Sequence, residues 1–342
     1  MEKLDILSML PAELEYIIEE IGQPKFRAKQ LWGWLHQQRV QEFSDMANIP
    51  KAMRDALDAR FFLAKAQEKR KQISKDGTVK FLFAMVDGAL IESVLMDYNH
   101  GASVCISTQV GCRMGCVFCA SAEGGLVRNL TAGEMCAQVY SIAKESEKRI
   151  GNIVLMGCGE PLDNLGETLK FLQLITHPDG MNIGARHITV STCGLVPEIL
   201  ALAGEKLQIT LAISLHAPTD DVRQQLMPIA KRYTIAETIS ACKEYVNITN
   251  RRITFEYALA HGINDSPAQA KQLATLLRGI NCHVNLIPVN KARGQTHGSG
   301  KNAAKVFTQV LQDNRVQTTL RRSLGTDIDG ACGQLRANST GI

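Results

Sequence analysis

Three cysteines with short, regular spacing are the residues of this chain that most directly suggest chemistry. Cys112, Cys116 and Cys119 form a Cys-x3-Cys-x2-Cys pattern on a loop that also contains Gly111 and Gly115. Three thiolates on a flexible loop can ligate three irons of a cubic iron–sulfur cluster, as cysteines do in such clusters generally. The fourth iron then has no protein ligand. A substrate that chelates through an amino and a carboxylate group fits that open position.

Zinc is the main alternative for the same cysteines. A structural zinc site needs four ligands, and Cys105 or Cys158 is near enough in sequence to supply the fourth. A disulfide framework explains the ten cysteines poorly, because the chain is long and its N-terminal stretch predicts no secretion signal. The spacing alone leaves the cluster and zinc both open.

Composition limits the class of protein. The 342 residues, 45% apolar and 21% charged, are typical of a globular chain with one large and one small domain. No run approaches the roughly 18 unbroken apolar residues of a spanning helix. We therefore expect a cytoplasmic protein with no membrane partner. The net charge of +4 neither requires nor excludes a nucleic-acid partner.

The N-terminal third predicts helices followed by a hairpin. Apolar residues recur at helical spacing in residues 11–22, 26–38 and 50–61. Residues 78–85 and 89–96 meet at Asp87-Gly88, which predicts a β-hairpin. The predicted division is a helical accessory domain at 1–75, a linking hairpin at 76–97, a core domain at 98–331 and a C-terminal tail at 332–342.

Short apolar runs alternate with helical segments in the rest of the chain. The runs are residues 102–108, 152–157, 187–192, 209–216, 253–258 and 283–288, and the helix candidates include 131–148, 167–174, 235–246, 268–277 and 303–312. Six β-α units predict an α/β fold whose parallel sheet curls into a full or partial barrel. The chemistry of such folds lies at the C-terminal ends of the strands.

The cysteine triplet, with Phe118 directly before Cys119, resembles the signature of the radical S-adenosylmethionine (SAM) superfamily. The resemblance implies one [4Fe-4S] cluster held by the three cysteines, with SAM at its open iron. The turn at Gly159 and Glu160, in LMGCGEPLDN, resembles the turn that holds the amino group of SAM in this superfamily. The other predicted cofactor-binding residues, all at later strand ends, are Ser191, Ser214, Leu215, His216 and Asn290.

Longer segments are similar, nearly word for word, to the RlmN family of dual-specificity RNA methyltransferases. They include VCISTQVGCRMGCVFCAS, AISLHAPTDDVRQQLMPI and GTDIDGACGQLRA. The resemblance implies a partial (βα)6 radical SAM barrel with a helix-hairpin-helix-like N-terminal domain. It implies methylation of C2 of adenine at position 2503 of 23S rRNA and position 37 of tRNA. We further expect a monomer served by an electron donor such as flavodoxin or ferredoxin.

The same resemblance implies catalytic roles for three residues. C2 of adenine lies between two ring nitrogens and is too electron-poor to attack the methyl group of SAM directly. In the family, one SAM methylates a cysteine that matches Cys332, and a second SAM is cleaved to a 5'-deoxyadenosyl radical that activates this methyl group. Cys105 matches the cysteine that then forms a transient disulfide with Cys332. Glu92 matches a proton acceptor; without that match it would be interpreted as a solvated strand residue. The sequence leaves open whether Glu92 or Cys105 takes the C2 proton.

Basic residues and two further cysteines are the other features of the sequence that bear on function. Residues 65–80, together with Arg321, Arg322 and Arg336, are predicted to contact RNA phosphates, although a charge run is usually only a solvated face. Cys158 and Cys193 are expected to be passive small hydrophobes. Two alternative functions remain. One is methylation of C8, disfavoured because the related C8 subfamily tends to have alanine in place of Pro161. The other is a non-catalytic, zinc-stabilised RNA-binding module.

Overall fold

The computed structural model describes residues 3–98, 101–146, 148–289 and 297–335. Its N-terminal module contains two short parallel strands and three helices: β1 (Leu4–Asp5), α1 (Pro11–Glu20), α2 (Phe26–Trp32), α3 (Lys51–Arg60) and β2 (Phe61–Phe62). Helix α1 begins at a proline, whose missing amide proton is not needed there. It buries Leu14, Ile17 and Ile18, which helical spacing places on one face. Helix α2 continues as a π-helical turn over Gly33–Gln38.

Three antiparallel strands follow: β3 (Gln67–Ile73), β4 (Val79–Ala84) and β5 (Leu90–Tyr98). The predicted hairpin is confirmed, because β4 and β5 pair across a turn where the amide of Ala89 donates to Asp87 Oδ1 at 3.0 Å. Strand β3 was not predicted. It is a mostly exposed edge strand of polar residues, so it lacks the apolar alternation that reveals half-buried strands.

The remaining strands of the described chain are β6 (Gly101–Cys105), β7 (Gln109–Gly111), β8 (Leu126–Asn129), β9 (Ile150–Leu155), β10 (Ile188–Thr192), β11 (Thr210–Ser214), β12 (Ile253–Leu259), β13 (Cys282–Pro288) and β14 (Thr318–Leu320). The main sheet has ten strands in the order β14-β13-β12-β11-β10-β9-β6-β5-β4-β3, whereas β7 and β8 form a separate antiparallel pair. All six predicted strands are present in parallel pairing, and β14 adds a seventh. Strands β3 and β14 are the edges of this sheet as described, which confirms a partial barrel.

Seven helices accompany the parallel strands: α4 (Ala132–Glu145), α5 (Leu165–Thr176), α6 (Val196–Gly204), α7 (Asp220–Leu226), α8 (Ile235–Thr249), α9 (Pro267–Leu276) and α10 (Lys301–Asp313). The five candidate helices of the sequence are confirmed, whereas α6 and α7 were not predicted. Phe171, Ile199 and Phe307 are fully buried side chains of these helices. The core therefore lies in part between the sheet and its helices.

The N-terminal module packs directly on helix α4. Thr131, the N-cap of α4, donates to Asp5 Oδ2 at 2.6 Å, and the amide of Gly133 donates to Ser8 Oγ at 2.7 Å. His36 Nδ1 lies 2.8 Å from the hydroxyl of Tyr140. Buried residues of the module and of the barrel belong to one continuous hydrophobic core.

The domain division proposed from sequence stays a prediction, although β3, which it assigns to the first domain, pairs within the main sheet. Among the helices of the described ranges, none combines the length and apolar character needed to cross a membrane.

Candidate active site

One cavity collects the residues at the C-terminal ends of the parallel strands. The predicted residues among those that line it are Cys112, Cys116, Cys119, Gly159, Glu160, Ser191, Ser214, His216 and Cys332. Leu215 is fully buried and is not among the lining residues. Asn290 lies outside the described residues. The topology explains the convergence, because parallel strands bring their C-terminal ends to the same edge of a sheet.

The loop that carries the three cysteines is held by close backbone contacts. Gly111 has a φ of +78°, and a Cβ at this position would lie 1.9 Å from the carbonyl oxygen of Gly125. The amide of Cys112 donates to that same oxygen at 3.0 Å, and the amide of Cys119 donates to the carbonyl of Cys116 at 3.1 Å. The glycine therefore allows the close approach that fixes the first cysteine.

The three thiols line one cavity, with Cys112 buried and Cys116 and Cys119 partly buried. Burial raises the pKa of Cys112 to about 12 and raises the pKa values of Cys116 and Cys119, and neighbouring cysteines add to each increase. In the part of the chain that the structure describes, no three His, Cys, Asp or Glu side chains converge where a single metal ion could sit.

The glycine-rich turn after β9 joins the ends of three strands. Gly159 has a φ of +110°, and a Cβ there would lie 2.7 Å from the backbone nitrogen of Gln109. Glu160 is buried, and its carboxylate accepts from the amides of Leu162 at 3.1 Å and Cys193 at 2.7 Å. Burial raises the pKa of Glu160, while these hydrogen bonds oppose the increase. The carboxylate thus fixes the turn after β10 while it lines the cavity.

His216 is held in a single protonation state. Its φ is +57°, and its Nδ1 accepts from the amide of Ala258 at 2.9 Å. Burial, followed by the nearby charge of Arg223, lowers the pKa of His216 to about 3. The imidazole is therefore neutral at physiological pH, and the ring of Phe118 packs edge-on against it with centroids 4.8 Å apart.

Cys105 and Cys332, which are far apart in sequence, line the same small cavity beside the main one. Cys105 ends strand β6, whereas Cys332 lies on the C-terminal segment and also lines the main cavity. Burial, with a contribution from Cys332, raises the pKa of Cys105 to about 12. Both are free thiols. The fold therefore brings these two thiols to the same cavity.

Glu92 is not a solvated strand residue. Its Oε1 lies 3.0 Å from Lys80 Nζ, and only 13% and 8% of these two side chains are exposed. The same ammonium donates to the carbonyl oxygen of Asp329 at 3.3 Å. Lys80 is therefore occupied inside the protein, which corrects its assignment to the basic stretch that contacts RNA.

Two family models match this chain. The model of the radical SAM superfamily matches residues 106–274, and that of the ribosomal RNA large subunit methyltransferase N-terminal domain matches residues 4–63. A protein of Alkaliphilus metalliredigens, named probable dual-specificity RNA methyltransferase RlmN, is 51% identical over 98% of this chain and 96% of its own. The chain belongs to the RlmN family.

Another relative and one solved structure support the same family assignment. The Clostridium novyi protein of the same name is 50% identical, over 98% of each chain. The crystal structure of a radical SAM methyltransferase from Sphaerobacter thermophilus superposes with a TM-score of 0.93 at 46% identity, covering 98% of this chain and all of that one. As a radical SAM protein, this RlmN-family chain uses a [4Fe-4S] cluster and SAM.

The donor set fits such a cluster. Each of three irons in the cube takes one thiolate, so the sulfurs must be neighbours that do not converge on one atom. Cys112, Cys116 and Cys119 line the same cavity, so three thiols are available there for three irons. A single zinc ion would instead require four ligands around one point.

Arg223 supports the backbone of this RlmN-family site, and the sequence interpretation missed it. Its side chain is fully buried and donates to the carbonyl oxygens of Cys193 at 2.7 Å and Leu215 at 3.3 Å. It therefore ties together the turns after β10 and β11, which carry predicted cofactor-binding residues. A charged residue on α7, beside the SLHAP segment, was the only available signal.

Two further charged residues line the cavity with the thiols. The sequence interpretation missed Glu256 and assigned Arg321 to the RNA surface. Glu256 lies in the otherwise apolar strand β12, lines the main cavity and accepts from Asn285 Nδ2 at 2.9 Å. Arg321 was predicted to contact RNA, but it lines both cavities, and the charge of Cys332 is the largest factor that raises its pKa. The guanidinium therefore lies among the groups that surround Cys332. Arg336 lies outside the described residues.

Proposed function

We propose that this chain methylates C2 of adenine at position 2503 of 23S rRNA and position 37 of tRNA. The observation that carries the proposal is the meeting of Cys105 and Cys332 beside the cavity lined by the cysteine triplet. Ordinary SAM-dependent methyl transfer needs no such pair. A methyl group that travels on one cysteine and is released by another does need it.

The cofactor residues follow from the cavity. Cys112, Cys116 and Cys119 would hold the cluster. When bound, the cluster and SAM supply a methyl group from one SAM and, with an electron from outside, a carbon radical from a second. The residues proposed to hold SAM are Gly159, Glu160, Ser191, Ser214, Leu215, His216 and Asn290. The buried neutral His216 and the fixed carboxylate of Glu160 offer hydrogen-bonding groups without a mobile side chain.

Cys332 is the proposed methyl carrier. A thiolate displaces a methyl group from SAM readily, and Cys332 lines the cavity that also contains the cysteine triplet and Arg321. After the methylene carbon has bonded to C2, the adduct would pass its unpaired electron back to the electron carrier and lose the C2 proton. The Cys105 sulfur would then lose its own proton and bond to the Cys332 sulfur as the carbon–sulfur bond breaks. The carbon keeps the bonding electrons and takes up a proton, which completes the new methyl group.

Glu92 is the proposed acceptor of the C2 proton. The pKa of Cys105 is raised to about 12, so at neutral pH it is a thiol, which cannot accept a proton. Glu92 is paired with the ammonium of Lys80 at 3.0 Å, and only 13% of its side chain is exposed. A carboxylate held in this way is the remaining candidate for the proton acceptor.

RNA contacts are proposed for basic residues that remain exposed. Lys69 and Arg70 on β3 are exposed, as is Arg322 at the rim of the cavity that holds Cys105. The target adenine would have to leave its stack to reach the buried thiols, as in other enzymes that modify bases. We further propose that the chain works in the cytoplasm as a monomer with flavodoxin or ferredoxin as electron donor.

Replacement of Cys105 tests the proposal. In Cys105→Ala the disulfide cannot form, so RNA should remain joined to Cys332 through a thioether. We expect a covalent protein–RNA band after anaerobic turnover, and digestion followed by mass spectrometry should locate it at Cys332. Cys242→Ala is a matched control, because this buried cysteine of α8 does not line either cavity. Free, methylated RNA as the sole product of Cys105→Ala would overturn the mechanism.

Mapping of the methyl group separates the alternative functions. Mass spectrometry of the modified adenosine distinguishes C2 from C8 methylation, and Pro161, at the start of a 3-10 turn, remains the sequence feature that favours C2. Uptake of zinc without iron and sulfide during anaerobic reconstitution would instead support the zinc-stabilised RNA-binding module.

A further inference from the structure

The segment that carries Cys332 is held against the rest of the protein from two sides. We call residues 325–335 the Cys332 loop. On one side, the amide of Ala120 donates to the carbonyl of Gly333 at 2.8 Å, and Ser121 Oγ donates to the carbonyl of Leu335 at 2.6 Å. These contacts tie the loop to the segment that follows the cluster cysteines.

The second side is the turn between β3 and β4. Asp76 Oδ2 accepts from the amide of Gly325 at 2.9 Å. Ser74 Oγ donates to Asp327 Oδ1 at 2.5 Å, and the amide of Lys75 donates to Asp327 Oδ2 at 3.2 Å. The first residues of the Cys332 loop are therefore fixed by side chains and amides of a turn that is distant in sequence.

Lys80 extends the same set of contacts into the site. Its buried ammonium donates to the carbonyl of Asp329 at 3.3 Å and pairs with Glu92 at 3.0 Å. One cation thus joins the Cys332 loop to the proposed proton acceptor. Strand pairing places Lys80 opposite Val94, and Val94 in turn pairs with Cys105, so all three belong to neighbouring strands at one level of the sheet.

The Cys332 loop has little regular structure of its own to hold it. It contains only a short 3-10 turn, Thr326–Ile328, and its buried apolar side chains are Ala331 and Leu335. The loop has internal hydrogen bonds, such as that from the amide of Gly330 to the carbonyl of Gly325. Hydrogen bonds from outside the loop also stabilise its conformation, since an unanchored segment loses them to water and gains conformational entropy.

We propose that Ser74, Asp76 and Lys80 form a clasp that positions the Cys332 loop so that Cys332 faces Cys105. These are positioning residues, because they act through the loop and not on substrate. The inference rests on the proposed function for the importance of the cysteine pair. The clasp itself stands on the hydrogen bonds and can be tested separately.

The equilibrium between the two thiols and their disulfide reports the positioning. Full-length, cluster-loaded protein is equilibrated anaerobically in glutathione buffers, in which glutathione disulfide takes up the two electrons and two protons lost by Cys105 and Cys332. The fraction of linked peptide, measured by mass spectrometry, gives the equilibrium constant. Global stability alone does not set this constant, because it measures how often the two sulfurs meet in the folded state.

We expect Asp76→Ala and Lys80→Met each to lower this constant by about tenfold, the effect of losing a hydrogen bond to a charged group. Lys80→Arg keeps the charge and should recover most of the loss. Asp97→Ala is the matched control: Asp97 lies on β5 and pairs with Lys148 at 2.8 Å, away from the Cys332 loop. An equal decrease in Asp97→Ala, or no decrease in Asp76→Ala and Lys80→Met, would overturn the clasp.

Hydrogen exchange separates failure of the clasp from failure of the proposed function. The amide of Gly325 donates to Asp76 and that of Gly330 to the carbonyl of Gly325, so both should exchange faster in Asp76→Ala. Faster exchange, with no disulfide in the wild type under any buffer, would support the clasp and overturn the cysteine mechanism. Unchanged exchange would overturn the clasp whatever the thiols do.

Discussion

Glu256 has a raised pKa that the sequence of its strand does not reveal. It lies in the sequence ITFEYAL, lines the cofactor cavity and is buried. Burial raises its pKa to about 7, although the charge of Arg321 and the hydrogen bond from Asn285 oppose the increase. Near neutral pH this carboxyl is therefore divided between its two forms, next to the proposed site of methyl transfer.

Replacement of Glu256 should flatten one part of the pH dependence of stability. The folded pKa of about 7 exceeds the ordinary value of 4.5, so folding favours the protonated form. Its contribution to stability is complete below pH 4.5 and is lost as the pH rises through 7. We expect the thermal midpoint of the wild type to fall relative to that of Glu256→Gln over this interval, in protein without SAM. Parallel midpoint curves for the two proteins would contradict the assignment.

Lys80 and Arg321 make a related point about basic residues. Both are cations in segments that the sequence marks as RNA-binding, yet one pairs with Glu92 and the other lines the two cavities with the thiols. Lys80 therefore neutralises a carboxylate inside the protein, because a desolvated charge needs a nearby charge of opposite sign. Burial, and not residue type, divides these residues between the site and the surface.

At the scale of elements, the cluster loop depends on one glycine for close packing. Gly111 and Gly125 both have positive φ, +78° and +70°, which side chains other than glycine rarely adopt. They differ in the room available for a side chain. A Cβ at Gly111 would lie 1.9 Å from a backbone oxygen, whereas a Cβ at Gly125 would meet nothing within 4 Å. Alanine at Gly125 therefore tests backbone strain alone, whereas alanine at Gly111 tests backbone strain together with a steric clash.

Alanine at these two glycines should have unequal effects on cluster assembly. Gly125→Ala should cost about 1 to 2 kcal/mol of stability through strain alone. Gly111→Ala adds the clash with the carbonyl that also accepts from Cys112, so it should displace that ligand. We expect iron content after anaerobic reconstitution to fall several-fold in Gly111→Ala and to remain near wild type in Gly125→Ala. Equal iron content in the two variants would show that the close approach is unimportant.

The whole molecule decides which surface meets RNA. The structure links the N-terminal module, the strands β3 to β5 and the Cys332 loop. Its exposed cations include Lys69 and Arg70 on β3 and Arg322 at the rim of the cavity that holds Cys105. Binding through phosphates releases counterions, so affinity should fall steeply as salt rises.

Neutralising these cations should reduce the salt dependence of tRNA binding. Each phosphate contact removed lowers the slope of log affinity against log salt by roughly 0.7 to 0.9. We therefore expect the triple variant Lys69→Gln, Arg70→Gln and Arg322→Gln to have a shallower slope in anaerobic binding titrations. Lys271→Gln, on exposed positions of α9, is the control and should keep the wild-type slope. The proposed surface is wrong if the triple variant keeps it as well.

The sequence by itself determined the family, the cluster loop, the hairpin and the six parallel strands. These features depend on local patterns: cysteine spacing, a turn dipeptide and apolar runs, each of which specifies its own structure over few residues. Strand β3 was not predicted, because an exposed edge strand need not alternate apolar and polar residues. Asn290 was placed by motif alone and lies outside the described residues.

Only the tertiary structure decided how charges and thiols meet. Cys105 and Cys332 share a cavity because the C-terminal segment returns across the sheet, where side chains of the β3–β4 turn and of the cluster loop hold it. The pairing of Glu92 with Lys80 depends on strand register, and the raised pKa of Cys105 depends on burial by distant segments. Such properties belong to the environment that many segments create together, and local sequence does not encode that environment.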